Sequence, residues 1–310
     1  MATKQKTKQK FSKDQWLAIG FLAPSILLIL VFVYGFISWT GYVSLSNWNT
    51  IVPDFSFAGL KNYLYLFSDF RFQSDLRNML FFTILFIGAV IILGLGLAIL
   101  LDKKIKGESF FRNIFLFPMA LSFVVTGVVW QWLLNPSTGV NNFLKTFGIE
   151  PLWYTDTNIL AGFQWGQIEF GVPVAILSIV VASAWQMTGF ALAMYLAGLR
   201  GIPEELREAA RMDGASELQI YRKIILPQLR PITASVVIMM AHISLKIFDL
   251  IYAMTGPGAN FVTDVPGLYM FETTFRGNYY AHGAAIAIIM LLAVAIFIVP
   301  YLWNNRRADS

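Results

Sequence analysis

The sequence predicts an all-α membrane protein with six transmembrane helices. Three observations carry that expectation. Hydrophobic residues make up 57% of the 310 residues and charged residues only 13%, against roughly 45–50% and 25% in soluble domains. Mean hydropathy is +0.62. Six stretches are each apolar over the roughly 20 residues that a membrane-crossing helix needs.

The six run Trp16–Trp39, Met79–Leu101, Phe110–Leu134, Val172–Leu199, Pro231–Met254 and Ala281–Trp303. They are continuous, whereas the strands of a membrane barrel alternate over short segments. The first is too long for a signal-peptide core and no small-residue cleavage site follows it, so it reads as an uncleaved span. A soluble enzyme of this size cannot hide so much apolar surface, and the 27 Phe, 12 Tyr and 9 Trp exclude disorder. The absence of Cys excludes a disulfide scaffold and any thiolate metal or redox site. Two His do not supply a histidine-rich metal site, and none is expected.

Lys and Arg set the orientation. Seventeen fall on one side: Lys4, Lys6, Lys8, Lys10 and Lys13; Lys103, Lys104, Lys106 and Arg112; Arg200, Arg207, Arg211, Arg222, Lys223 and Arg230; Arg306 and Arg307. Five fall on the other: Lys61, Arg71, Arg77, Lys145 and Arg276. Both termini are therefore expected in the cytoplasm. The same bias accounts for the basic balance as topogenic and lipid-facing, with no nucleic-acid partner. The division expected is a basic cytoplasmic N-terminus over 1–15, one six-helix membrane domain over 16–305, and a cytoplasmic tail over 306–310. The outer segments, 40–78, 135–171 and 255–280, carry turn residues and Trp48, Trp153 and Trp165, but none is long enough for a separate domain.

The cytoplasmic segment 201–230 is the most informative. Gly201 suits the left-handed end of a helix, Pro203 a first helical position, and Glu204 and Glu205 the positive end of the next helix. Helix formers run to Met212, Gly214 stops them, and Ser216 with Gln219 makes a capping box. That second helix is expected to run to about Ile225, ahead of Leu226-Pro227, and Pro231 opens span five. Ala209 and Ala210 offer a small-residue patch flanked by Arg207, Glu208 and Arg211. By helix pattern alone this is an amphipathic hairpin resting on lipid.

Spacing decides otherwise. Glu208-Ala209-Ala210, Gly214, Ile224 and Leu226-Pro227 stand at the offsets of the EAA signature of ABC importer permeases, without a mismatch. The chain therefore resembles the permease subunits of binding-protein-dependent ABC importers. Phe57-Ala58-Gly59-Leu60-Lys61-Asn62-Tyr63, Asn141-Asn142-Phe143-Leu144 with Gly148-Ile149, and Phe248-Asp249 through Tyr252-Ala253-Met254-Thr255-Gly256 are similar to outer segments of the carbohydrate-uptake, maltose-type branch. Gly256-Pro257-Gly258 departs from the glycine run of that branch.

The resemblance implies a type I ABC importer permease fold with a cytoplasmic coupling helix, in a prokaryotic inner membrane. It implies that Glu208, Ala209, Ala210, Asp213 and Gly214 dock on an ATP-binding subunit, with Ile224, Leu226 and Pro227 supporting the hairpin. Gly214 permits a turn and a close approach that a Cβ would hinder. The implied partners are a second, similar but distinct permease, two ATP-binding subunits, an extracytoplasmic solute-binding protein, and lipid. The chain has no G-x-x-x-x-G-K-[ST] phosphate loop, so ATP and Mg belong to partner subunits and the chain itself is no enzyme.

Polar groups within spans are costly and hence functional candidates. Trp130-Gln131 and Trp185-Gln186, with Asp249 and Tyr252, form a candidate sugar path, since sugars bind on aromatic faces with amides and carboxyls at their hydroxyls. His242 joins them, although such a His commonly bonds a neighbouring backbone or hydroxyl oxygen. Interfacial Trp and interhelical Gln are the competing explanation. Lys246 and Asp249 stand three apart, able to meet on one helix face; either at mid-bilayer costs about 2.5–3.5 kcal/mol. Gly88, Gly94 and Gly96 suit close helix packing. The rivals are an intramembrane enzyme and an ion-driven secondary transporter. The first lacks its motifs. The second calls for mid-membrane ionisable residues and interrupted helices, neither of which is evident in the sequence.

Overall fold

The structure is a computed structural model that describes residues 13–103 and 106–308. Lys4, Lys6, Lys8, Lys10 and Lys104 lie outside the described residues, as do the side chains of Lys13, Arg306 and Arg307. Helix α1 (Lys13–Ile29) widens through a π-turn at Leu30–Gly35 and continues as α2 (Phe36–Ser44). A short α3 (Lys61–Ser68) leads to α4 (Phe70–Asp102), whose first turn is capped by the Asp69 carboxylate accepting from Phe72 N–H. Then come α5 (Glu108–Leu116), α6 (Phe123–Leu133) and α7 (Asn141–Leu144). An antiparallel hairpin, β1 (Ile159–Trp165) and β2 (Ile168–Pro173), precedes α8 (Val174–Arg200). Short helices follow: α9 (Glu204–Met212), α10 (Glu217–Ile220) and α11 (Leu226–Gln228). The chain closes with α12 (Arg230–Leu245), α13 (Asp249–Met254), α14 (Pro266–Phe271) and α15 (Tyr280–Ala308).

Among the described residues, four helices are each long and apolar enough to cross a bilayer, and up to six by length and composition if the bent pairs Glu108–Ala120 with Phe123–Leu133 and Glu217–Gln228 with Arg230–Leu245 each count as one span. The strand hairpin corrects the all-α expectation. It turns on Gly166 at φ +62°, the left-handed backbone that two-residue hairpin turns demand.

The core is built on α4 and α8. Phe82, Phe86, Val90 and Ala98 of α4 and Ile176, Ile179, Leu192 and Tyr195 of α8 are buried in one cluster. Gly94 sets their separation, because a Cβ there would stand 2.5 Å from Ala191 Cβ. Gly88 and Gly96 face open space, so the packing role expected of three glycines falls to one within this chain. Gly127 does the same for α6 on α13, where a Cβ would meet the Leu250 carbonyl at 2.8 Å.

Two expected spans are interrupted. Span three breaks at Leu121, which is extended (ψ 150°), and its two halves bend by 102°. Pro118 tightens the end of the first half into a 3₁₀ turn, and the Ser122 hydroxyl caps the second by accepting from Val125 N–H. Span five ends as α12 at Leu245 and resumes as α13 at Asp249, with Phe248 at φ −143°. Lys246 and Asp249 therefore lie on either side of a break, both exposed and without an ion pair between them. Interrupted helices are thus present, contrary to the sequence reading.

Candidate functional site

The hairpin over 201–230, expected on the cytoplasmic side, is shaped by its own sequence. Gly201 ends α8 in right-handed backbone, φ −79°, rather than the expected left-handed one. Pro203 then serves as N-cap of α9, one place earlier than expected, with Glu204 and Glu205 in the first turn. Gly214 takes φ +79°. Its N–H donates to the Arg211 carbonyl at 3.0 Å, and Ala215 N–H to the Ala210 carbonyl at 3.0 Å, which satisfies carbonyls at the end of α9. The capping box forms: Ser216 N–H donates to Gln219 Oε1 at 2.8 Å, and Gln219 N–H to Ser216 Oγ at 3.4 Å. Beyond α10 the chain passes through a π-turn, Tyr221–Ile225, into α11, so Leu226 and Pro227 continue the helical path. Pro227 has no N–H to donate to the preceding turn, and the wider π-turn lies directly before α11.

Burial divides the motif. Ala210, Ile220 and Ile225 are buried and hold the hairpin on the α4–α8 core, with Ile224 packed beside them. Glu208, Ala209, Asp213 and Gly214 are exposed. Two large apolar residues that the sequence did not single out join them, Met212 at 89% exposure and Leu218 at 66%. Of the charged residues expected to face a partner, Arg207 and Arg211 are already paired within the chain. Arg207 Nη1 donates to Asp102 Oδ2 at 2.9 Å and Nη2 to the Leu199 carbonyl at 3.2 Å. Arg211 Nε donates to Glu217 Oε1 at 2.8 Å, which holds the Glu217 carboxyl below its ordinary range. Glu208 has no such pairing among the described residues.

The membrane candidates sort into two groups. Trp130 and Trp185 meet edge to face, ring centroids 5.8 Å apart. Gln186 lies beside them in sequence but is buried, and its Nε2 donates to the Leu121 carbonyl at 2.7 Å, the group freed by the break in span three. Gly189, one turn on, lets the same segment approach, since a Cβ there would stand 2.5 Å from the Phe115 carbonyl. Tyr252 stacks on Phe248, and its hydroxyl accepts from Arg276 Nη2 at 2.9 Å. No hydrogen bond joins Gln131, His242 or Asp249 to these groups among the described residues; Gln131 and Asp249 are exposed, and His242 Nδ1 is buried without a partner.

A buried polar cluster at the N-terminal end of α4 escaped the sequence reading. Arg71 Nε donates to Asp264 Oδ2 and Nη2 to Glu272 Oε2, both at 2.6 Å, while its guanidinium lies over the Tyr269 ring at 4.4 Å. Asn78 Nδ2 donates to the carbonyls of Phe261 and Asp264. Its partners lie some 190 residues away in sequence, so no local pattern reveals it.

A family model described as binding-protein-dependent transport system inner membrane component matches residues 90–309. A probable ABC transporter permease of Pyrococcus horikoshii is 40% identical over 96% of this chain and 99% of its own. A xylose/arabinose import permease of Haloferax volcanii is 33% identical over 91% and 85%. A trehalose/maltose transport system permease of Thermococcus litoralis is 32% identical over 93% and 94%. A solved bacterial ABC transporter involved in import of the acidic polysaccharide alginate has a chain that superposes with a TM-score of 0.77 at 22% identity, covering 96% of this chain and 98% of its own.

Proposed function

This chain belongs to the family of binding-protein-dependent transport system inner membrane components, and we propose that it is a pore-forming subunit of an ATP-driven ABC importer that moves a sugar inward. The observation that carries this reading is the hairpin tip. Exposed Glu208, Ala209, Met212, Asp213 and left-handed Gly214 stand on a base fixed by buried Ala210, Ile220 and Ile225. Such a knob, small at its centre and apolar at its edge, suits a groove on an ATP-binding subunit. Ile224, Leu226 and Pro227 return the chain to the membrane behind it.

The complex then comprises this chain, a similar but distinct second permease, two ATP-binding subunits that hold ATP and Mg, and an extracytoplasmic solute-binding protein. Residues 16–305 then form one membrane domain with both termini in the cytoplasm, a reading that the Lys and Arg distribution supports. Sugar is the favoured solute because curated relatives that cover the chain are named for xylose/arabinose and trehalose/maltose. The Trp130–Trp185 pair supplies the aromatic wall. Gln131, Asp249 and Tyr252 supply polar groups along it, while Gln186 shapes the wall through Leu121 and His242 lies deeper.

The test is ATP hydrolysis in proteoliposomes by the complex purified with its co-expressed neighbours, beside a Gly214→Trp variant. Supported, the reading gives a co-purifying ATPase that is stimulated by loaded binding protein and is lost or uncoupled in the variant. A chain that transports alone, with no associated ATPase, refutes it.

A further inference from the structure

We propose that Arg207 is a positioning residue, a strut through Asp102 that makes the cytoplasmic hairpin and the α4–α8 core move as one body. The inference rests on reading the hairpin as the element that couples to ATP-binding subunits.

Backbone continuity ties the hairpin to α8 through only Gly201, Ile202 and Pro203, and to α4 not at all. Burial of Ala210, Ile220 and Ile225 attaches it to the core, but apolar contact is non-directional and permits sliding. Arg207 adds direction. Its guanidinium grips Asp102, the last residue of α4, and the Leu199 carbonyl in the last turn of α8. One planar fork thus fixes the hairpin against both core helices, which the point charge of Lys cannot do as well. The pair is secluded, its side chains only 12% and 8% exposed.

Other ion pairs nearby do not take this role. Those of Arg211 stay within the hairpin, to Glu204 and Glu217, and are about half exposed. The Arg200–Glu108 pair links α8 to α5. Among the described residues, Arg207–Asp102 is the ion pair that joins the hairpin to a membrane helix. A second observation points the same way. Asp102 occupies the C-terminal end of α4, where the helix dipole disfavours an acid. Its position serves the contact with Arg207 rather than the helix that carries it.

The sequence has no Cys, so engineered thiols report without background. Spin labels at Leu100→Cys on α4 and Glu205→Cys on α9, both exposed positions, read the separation of core and hairpin. The assembled complex is measured without nucleotide and after trapping with ATP and vanadate. One unchanged distance is expected in the parent. Arg207→Leu, and the milder Asp102→Asn should the first assemble poorly, are expected to add a second, longer population on trapping. The reversal Arg207→Asp with Asp102→Arg is expected to restore the single distance. A parent distance that changes on trapping, a fixed distance in the single variants, or failure of the double reversal to restore it would each overturn the strut. If the parent captures no ATP-binding subunit, the proposed function falls and the strut with it. If it does, these results bear on the strut alone.

Discussion

Gln186 of α8 hydrogen-bonds the carbonyl of Leu121 at 2.7 Å, at the point where the third span turns through 102°. A broken helix strands backbone groups that hydrocarbon cannot satisfy. The sequence supplies the missing donor 65 residues later, and Gly189 clears the space for the segment that needs it.

That contact sets the first expectation. Gln186→Leu leaves the Leu121 carbonyl buried without a partner, a loss of about 1–3 kcal/mol. Thermal unfolding of the purified complex in detergent measures it. An unchanged midpoint would show that water or another group takes over the bond.

Glycines of α4 should separate by position. Gly94→Ala drives a methyl against Ala191 and should cost about 1–3 kcal/mol through overpacking. Gly96→Ala and Gly88→Ala meet nothing in this chain, so each should be neutral or raise stability by up to about 1 kcal/mol through helix propensity. The three variants, compared by thermal unfolding, should rank in that order; loss of the second permease in either of the latter two would assign that face to the partner.

The outer clasp is predicted to be the most sensitive polar site. Arg71→Leu leaves buried Asp264 without its cation, while half-buried Glu272 keeps Arg276, at a cost of about 3–5 kcal/mol. Limited proteolysis should then cut faster within 255–265 than in the parent. Equal cleavage in both would remove the clasp from the account.

At Gly214, conformation and contact can be told apart. Asn tolerates left-handed backbone, whereas β-branched Val does not, and a Cβ at this position meets nothing within 4 Å in the chain. Gly214→Asn should therefore leave the stability of the chain within about 0.5 kcal/mol yet weaken capture of the ATP-binding subunit. Gly214→Val should impair both. Equal capture by Gly214→Asn and the parent would mean that no partner backbone approaches Gly214.

Hydropathy located the four long apolar helices because composition is a local property. It passed over the breaks near Leu121 and Phe248 because it does not sense backbone direction. For the first break Pro118 and Ser122 stood as signals, a helix terminator followed by a good N-cap. The second carries no proline or glycine and is legible only from the fold. In the hairpin, the turn at Gly214 and the capping box at Ser216 were legible because both arise within a few residues. The orientation of Ala210 inward and Met212 outward was not, since it depends on how α9 rests on α4 and α8. For the same reason Gln186 looked like a substrate contact: a polar residue in an apolar run does not announce which distant carbonyl it serves.

Helix α1 has a consequence for biosynthesis. None of the most apolar eighteen-residue window of Leu17–Ser44 is buried within the chain. Its stability therefore comes from partition into lipid and not from tertiary fit. It precedes α4 and α8 in chain order, so it can settle in the bilayer before either is made. Its own placement in lipid then comes before the α4–α8 core exists, and the later helices assemble beside a segment already in the membrane.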